Sequence, residues 1–305
     1  MKFKIIILLL IGTLVGSQAF SQEFPLHTQY MYNRASINPG YVGVKGKMSI
    51  LLFNRLQWAG LNGGPITNNI SIEYPFQRAA YGLSIKHDQA GPLSNFKANA
   101  QFGYNIELGY YTFLSLGVSV AGAYNQFDIN KLKIKDQGEA IFSKKINEFG
   151  FDIGAGAFLY GDNWYFGVSS PNLNLQKYYR GIEQNEKRAL HTYAIGGYSF
   201  DIDRSKKKIQ PSFMVRYIPN TPISADFSVN FQWNESFLTG LAYRLNSAYS
   251  LLLGFNVSRQ LHLGYSFDWD QSRFYKTNYG SHEFFLRYDF TREDNTIRFQ
   301  SPRFF

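Results

Sequence analysis

Polar and apolar residues alternate along most of the chain. From Ile223 to Trp233 every odd position is apolar and every even one polar. Leu261, Leu263, Tyr265, Phe267 and Trp269 alternate with His262, Gly264, Ser266 and Asp268, as Leu114, Leu116, Val118 and Val120 do with Ser115, Gly117 and Ser119. The same beat runs from His282 to Phe290 except at Phe285, an apolar residue on the polar phase. A period of two belongs to β-strands, whose successive side chains point to opposite faces. Fourteen such segments can be marked, at about 47–56, 66–74, 79–88, 95–107, 110–125, 149–160, 163–170, 190–202, 207–218, 222–233, 236–245, 249–256, 260–269 and 281–290. Many approach the 9–11 residues that a tilted strand needs to cross a bilayer. Their apolar faces end in aromatic residues such as Trp233, Trp269 and Tyr288, where an interfacial girdle would lie.

Half-buried strands of a soluble sandwich also alternate, so the connections must decide. Every second one is short: Pro75–Arg78, Leu108-Gly109, Gly161-Asp162-Asn163, Asp203–Lys206, Asn234-Glu235 and Asn256–Arg259. The long ones, Gln57–Pro65, Gln126–Glu148, Pro171–Ala189 and Asp270–Gly280, all fall between them. Short turns at one end and long loops at the other describe an outer-membrane barrel, and closure removes the unpaired edges that lipid would not tolerate. The pattern therefore predicts an all-β transmembrane antiparallel barrel of about fourteen strands over residues 47–290, with a tail at 291–305. Such a barrel is too wide for its own strand side chains to fill. Water, a loop, the N-terminal segment or a partner must occupy the lumen. The inward faces read as largely polar, so an inward position such as Ser228 should tolerate a lysine that the outward Ala225 and Val229 reject.

The first residues set the compartment. Met1-Lys2-Phe3-Lys4 is followed by an apolar run from Ile5 to Val15 and by Ala19-Phe20-Ser21, the pattern of a secretory signal peptide cleaved after Ser21. Removing residues 1–21 takes Lys2 and Lys4 from a net charge of +9, leaving +7. The remaining bases are scattered singly among aromatics, so charge and export together argue against nucleic acid. With no cysteine, disulfides, iron–sulfur clusters and thiol nucleophiles are excluded. Only 17% of residues are charged, below the usual quarter or so of a soluble domain. Both chain ends are expected in the periplasm, as an even number of strands requires.

Residues 22–46 are too broken by Asn, Gly and Pro to form another strand, yet Tyr30, Met31, Tyr32 and Tyr41 would be unfavourable in water. The expectation is a plug or docking segment at the barrel mouth. No catalytic, cofactor or metal site is expected. The five histidines lack metal spacing, and His282 and Glu283 point to opposite faces, leaving His282 a hydrogen-bonding role near the external rim. Gly154-Ala155-Gly156 lies inside a strand with no helix after it, so it is not a phosphate loop.

Several short pieces, in order along the chain, carry a resemblance. They are Gln29-Tyr30-Met31 with Asn33, Ile37-Asn38-Pro39-Gly40-Tyr41-Val42-Gly43, Arg55-Leu56-Gln57-Trp58-Ala59-Gly60, Gly64-Pro65-Ile66-Thr67, Asp88-Gln89-Ala90-Gly91-Pro92, Gly264-Tyr265-Ser266-Phe267-Asp268, Gly280-Ser281-His282-Glu283 and Ser301-Pro302-Arg303-Phe304-Phe305. The chain resembles the PorP/SprF family of type IX secretion system outer-membrane proteins of Bacteroidota. That resemblance implies a non-enzymatic barrel that supports secretion or surface anchoring of cargo bearing a type IX C-terminal sorting domain, such as a large adhesin. It also implies contact with periplasmic secretion and motility machinery. The candidate partner-binding or plug residues are Tyr30, Tyr32, Asn38, Pro39, Tyr41, Arg55, Trp58, Tyr178, Tyr179 and His282. The alternative is a diffusion channel for small hydrophobic molecules, like the FadL-type fatty-acid transporters, which share the strand number and an N-terminal plug beginning near an Asn-Pro pair.

Overall fold

Aromatic and branched residues on one phase, with Ser, Gly and Asn on the other, favour a pleated chain that is oily on one face only. The computed structural model describes residues 27–128, 146–173, 190–202, 207–234, 236–271 and 278–290. Its strands are β1 (Ser49–Leu56), β2 (Ile66–Phe76), β3 (Ala79–Ala90), β4 (Leu93–Gly109), β5 (Thr112–Phe127), β6 (Ile146–Gly161), β7 (Trp164–Ser170), β8 (Thr192–Tyr198), β9 (Phe200–Asp201), β10 (Lys207–Tyr217), β11 (Ser224–Trp233), β12 (Phe237–Arg244), β13 (Ala248–Asn256), β14 (Leu261–Asp270) and β15 (Ser281–Asp289). Sequence neighbours pair antiparallel all the way round, and β1 pairs with β15 to close the barrel. β8 and β9 flank Ser199 and both pair with β10, so they form one stave and the wall has fourteen. The two ends differ as expected. One carries the short turns, and the other carries the long loops and the loop Gln57–Pro65.

The alternation maps onto the wall. Phe227, Val229, Leu241 and Leu251 face outward and are exposed, whereas Asp226, Ser228 and Asn230 are buried inside. Ala225 shares the outward phase but is buried, since its short side chain lies below those of its neighbours. The tall hairpin departs most from expectation. β4, β5 and β6 reach Leu93, Phe127 and Ile146, and the β4–β5 turn falls at Tyr110-Tyr111, two residues past Leu108-Gly109. A register shift between Glu107 and Gly109 lets Gly109 pair with Thr112, and Tyr111 takes the left-handed backbone at φ 61°.

The inward faces are not uniformly polar. At mid-height Leu51, Phe53, Phe158, Ile195, Met214 and Phe285 are buried on the lumen side. Apolar side chains in that position need an apolar partner within the lumen.

Candidate functional site

Residues 27–46 supply that partner: this part of the N-terminal segment lies inside the barrel. Its apolar side chains, Tyr30, Met31, Tyr32, Tyr41, Val42 and Val44, are all buried. The Tyr32 ring lies 4.3 Å from Phe285, Tyr41 meets Phe158 edge-on at 5.1 Å, and His27 meets Phe53 at 4.6 Å. Phe285, the break in the alternation of β15, is thus the floor on which Tyr32 rests. The Arg34 guanidinium lies over the rings of Tyr165 (4.3 Å) and Tyr41 (5.2 Å) and donates to the Tyr41 hydroxyl at 3.3 Å. Aromatic faces attract a desolvated cation in this way.

Asn38-Pro39-Gly40 presses hardest on the wall. Asn38 is fully buried; its Oδ1 accepts from the Gly40 N–H at 2.8 Å and its Nδ2 donates to the Ala157 carbonyl at 3.0 Å. The first bond caps the short 3-10 turn Pro39–Tyr41. The wall makes room with glycines. A Cβ on Gly156 would stand 2.0 Å from Asn38 Oδ1, and one on Gly117 2.2 Å from Pro39. The last glycine of Gly154-Ala155-Gly156 therefore serves close backbone approach.

A charged clasp holds the start of the segment. Arg55 on β1 is bonded to Glu283 on β15 and, at 2.8 Å, to Asp268 on β14. Glu283 also accepts the backbone N–H groups of Thr28 (2.8 Å) and Gln29 (2.9 Å), and the Thr28 hydroxyl donates to Asp268 at 2.8 Å. All three charged side chains are buried, so each relies on these partners in place of water. Further in, the Tyr30 hydroxyl bonds Ser212 at 2.9 Å. Burial pushes the Tyr30 and Tyr32 hydroxyls well above the usual tyrosine range, which keeps both protonated. Near the short-turn end the Gly43 N–H donates to Glu73 at 3.2 Å.

The segment thus descends from the long-loop half, at Thr28, to the short-turn end, touching β14, β15, β10, β7, β6 and β2 on the way. β1 starts and β15 finishes at the short-turn end. His27 lies among the long-loop-half residues Lys86, Lys97 and Phe53, and both chain ends lie outside the described residues.

Tyr30, Tyr32, Asn38, Pro39, Tyr41 and Arg55 come together in this lumenal assembly. Trp58 and His282 do not join it. Both sit at the long-loop rim, where Trp58 donates its backbone N–H to Ser281 Oγ at 3.2 Å and His282 Nδ1 bonds the Tyr265 hydroxyl at 2.8 Å on the outer wall. Tyr178 and Tyr179 lie outside the described residues, as do residues 1–26 and 291–305. Sequence reasoning did not single out Thr28 and Arg34, and it quoted Gln29 only within the Gln29-Tyr30-Met31 motif. Arg34 carried a signal, as the one cation in an aromatic stretch destined for burial. Among the described residues no group of three metal-binding side chains occurs, and a cavity of about 90 Å³ lies beside His27 on the segment's long-loop side. The arrangement holds a segment in place.

Residues 19–288 match the family described as type IX secretion system membrane protein PorP/SprF. The chain belongs to that family. As a PorP/SprF protein it is an outer-membrane β-barrel of the type IX secretion family, and its fold has relatives among solved structures. The CymD monoaromatic hydrocarbon channel aligns with a TM-score of 0.55 at 11% identity, covering 90% of this chain and 96% of that one. The Ralstonia pickettii toluene transporter TbuX aligns with a TM-score of 0.50 at 9% identity, covering 88% and 95%. At such identities the likeness is one of fold. No curated protein matches the chain in sequence.

Proposed function

We propose that this PorP/SprF barrel acts without catalysis, as a sealed docking platform. It supports the secretion or surface anchoring of proteins bearing a type IX C-terminal sorting domain. The observation that carries the reading is the filled lumen: residues 27–46 bond to strands on every side and pack as an apolar core at mid-height. A barrel closed in this way has its two rims and its outer wall left as working surfaces. The long loops face the outside and engage cargo, with Trp58 and His282 at that rim and with Tyr178 and Tyr179, in the sequence between β7 and β8, as further candidate contacts. The short turns and the exit of the segment face the periplasm and the secretion and motility machinery, after a signal peptide has been removed behind Ser21.

A FadL-type channel for small hydrophobic molecules is the second reading, favoured by the likeness to the CymD and TbuX barrels. The two readings separate on deletion of residues 22–46. A docking platform without the segment remains a folded barrel, fails to support cargo secretion and gains conductance in planar bilayers. Wild-type secretion by the deletion variant would overturn the platform; uptake of toluene or fatty acid by the intact protein would favour the channel.

A further inference from the structure

The outer wall carries one feature that a uniform lipid-facing surface lacks. A trough of about 720 Å³ crosses β13, β14, β15, β1, β2 and β3 on the outside of the barrel. Cross-strand register sets its two banks. The upper bank runs Leu253, Tyr265, Phe284, Asn54, Asn68, His87. The lower runs Phe255, Leu263, Leu286, Leu52, Ile70, Ile85. Five strand spacings of about 4.8 Å make it roughly 24 Å long.

The trough is a ramp. Leu253 stands three residues above the short-turn end of β13, and His87 eight above that of β3. At about 3.3 Å per residue and a tilt near 40° the climb is roughly 13 Å, close to the ~15 Å depth of one leaflet's hydrocarbon. Its chemistry changes along the slope. The deep end is wholly apolar. At the high end Asn54, Asn68 and His87 stand side by side on a face made mostly of Leu, Ile, Val, Ala and aromatics. Asn54 donates to Asn68 Oδ1 at 2.8 Å and His87 bonds Ser94 at 3.0 Å, leaving the Asn68 amide hydrogens and the second His87 ring nitrogen for another group. Amide and imidazole groups on a lipid-facing wall are unfavourable unless a hydrogen-bonding partner meets them.

We infer that this trough holds one acyl chain of a membrane lipid, with the lipid's ester or amide carbonyl at Asn68 and His87 and its tail running down to Phe255. The occupant must be narrow, apolar along most of one leaflet and polar without net charge at one end, and an acyl chain with its carbonyl meets all three demands. A second barrel would need a flatter face. The inference rests on the outer-membrane reading, and the orientation proposed above makes the leaflet the outer one.

Native mass spectrometry of the full-length mature protein, purified from its own membrane in mild detergent, tests it. Wild type is expected to retain a single lipid. Leu52→Trp, which fills the trough, and the Asn68→Leu/His87→Leu pair, which removes the polar end without hindering insertion into lipid, are each expected to lose it. Leu241→Trp, on the lipid face outside the trough, is expected to retain it. Equal lipid retention by all four proteins would mean annular lipid only and would overturn the inference, as would a wild type that carries none. The identity of the retained lipid reports the leaflet separately: an inner-leaflet lipid would invert the orientation while leaving the site in place.

Discussion

The clasp at Arg55 allows the sharpest test of how the segment is held. Arg55→Met keeps the length and apolar stem of the side chain but removes the only cation among the described residues that is bonded to both Asp268 and Glu283. Two buried carboxylates are then left facing each other, with only uncharged donors, Thr28, Gln29, Ser250 and Ser266, beside them. Breaking a buried ion pair from one side costs about 3–5 kcal/mol. The strand ladders of β1, β14 and β15 are untouched by the change, so the loss falls on docking of the segment. Converted, it raises the undocked population by roughly a hundredfold to a few thousandfold. The chain has no cysteine, so Ala35→Cys, buried in the lumen, gives a unique reporter for a membrane-impermeant maleimide. Labelling is expected to be negligible in the parent and fast in Arg55→Met. Adding Asp268→Asn and Glu283→Gln removes the stranded charges and should restore much of the protection. Labelling unchanged by Arg55→Met, or a neutral triple variant as open as the single one, would refute the account of the clasp.

Other outcomes follow from the same geometry. Gly156→Leu places a side chain where Asn38 Oδ1 now lies, so the barrel should still insert and run as a folded band on cold gels while the Ala35→Cys reporter becomes reactive; a protected reporter would contradict the close approach. Val229→Lys, exposed on the lipid face, should cost about 2–4 kcal/mol in denaturant titrations in liposomes if it sits near the midplane. Ser228→Lys should not be tolerated either, contrary to the simple inside-versus-outside rule, because Ser228 lies 2.7 Å from Ser212 and within reach of Tyr30; a wild-type midpoint for Ser228→Lys would argue for an open lumen. Burial, and then the Lys86 charge, hold the His27 imidazole well below its ordinary value. The docked segment binds fewer protons than the free one, so docking is at full strength above about pH 6.5 and weakens as pH falls below it. Reporter labelling, normalised at each pH to that of the undocked Arg55→Met variant because the thiolate fraction itself falls with pH, should rise in the parent between pH 8 and pH 5 and stay flatter in His27→Gln.

The wall was legible because its code is local. Each residue from Phe227 to Trp233 declares its face by phase alone, and the short connections supply the antiparallel order. The strand ends were less legible. β4 and β5 run past the expected bounds because Ser94, Gln126 and Phe127 lose the alternation but continue the ladder. The site was legible in part. The aromatics of residues 30–41 announce burial, yet nothing local joins Thr28 to Asp268 across 240 positions. The outer trough was invisible for a related reason: Asn54, Asn68 and His87 become neighbours only through the stagger of three strands.

Departures from alternation carry more information than alternation itself. A water-filled barrel would keep polar residues on every inward position, since an apolar side chain facing water there gains nothing. This chain places Phe53, Phe158, Met214 and Phe285 on that phase, and each is buried against another part of the protein. Phe285 opposes Tyr32, Phe158 opposes Tyr41 and Phe53 opposes His27, so three of the breaks name their own partners within fifteen residues of one another. Conversely, the outward polar trio of Asn54, Asn68 and His87 breaks the rule on the lipid side and lies at the head of the trough. An inward apolar residue therefore marks where the lumen is filled, and an outward polar one marks where the lipid face is not bare.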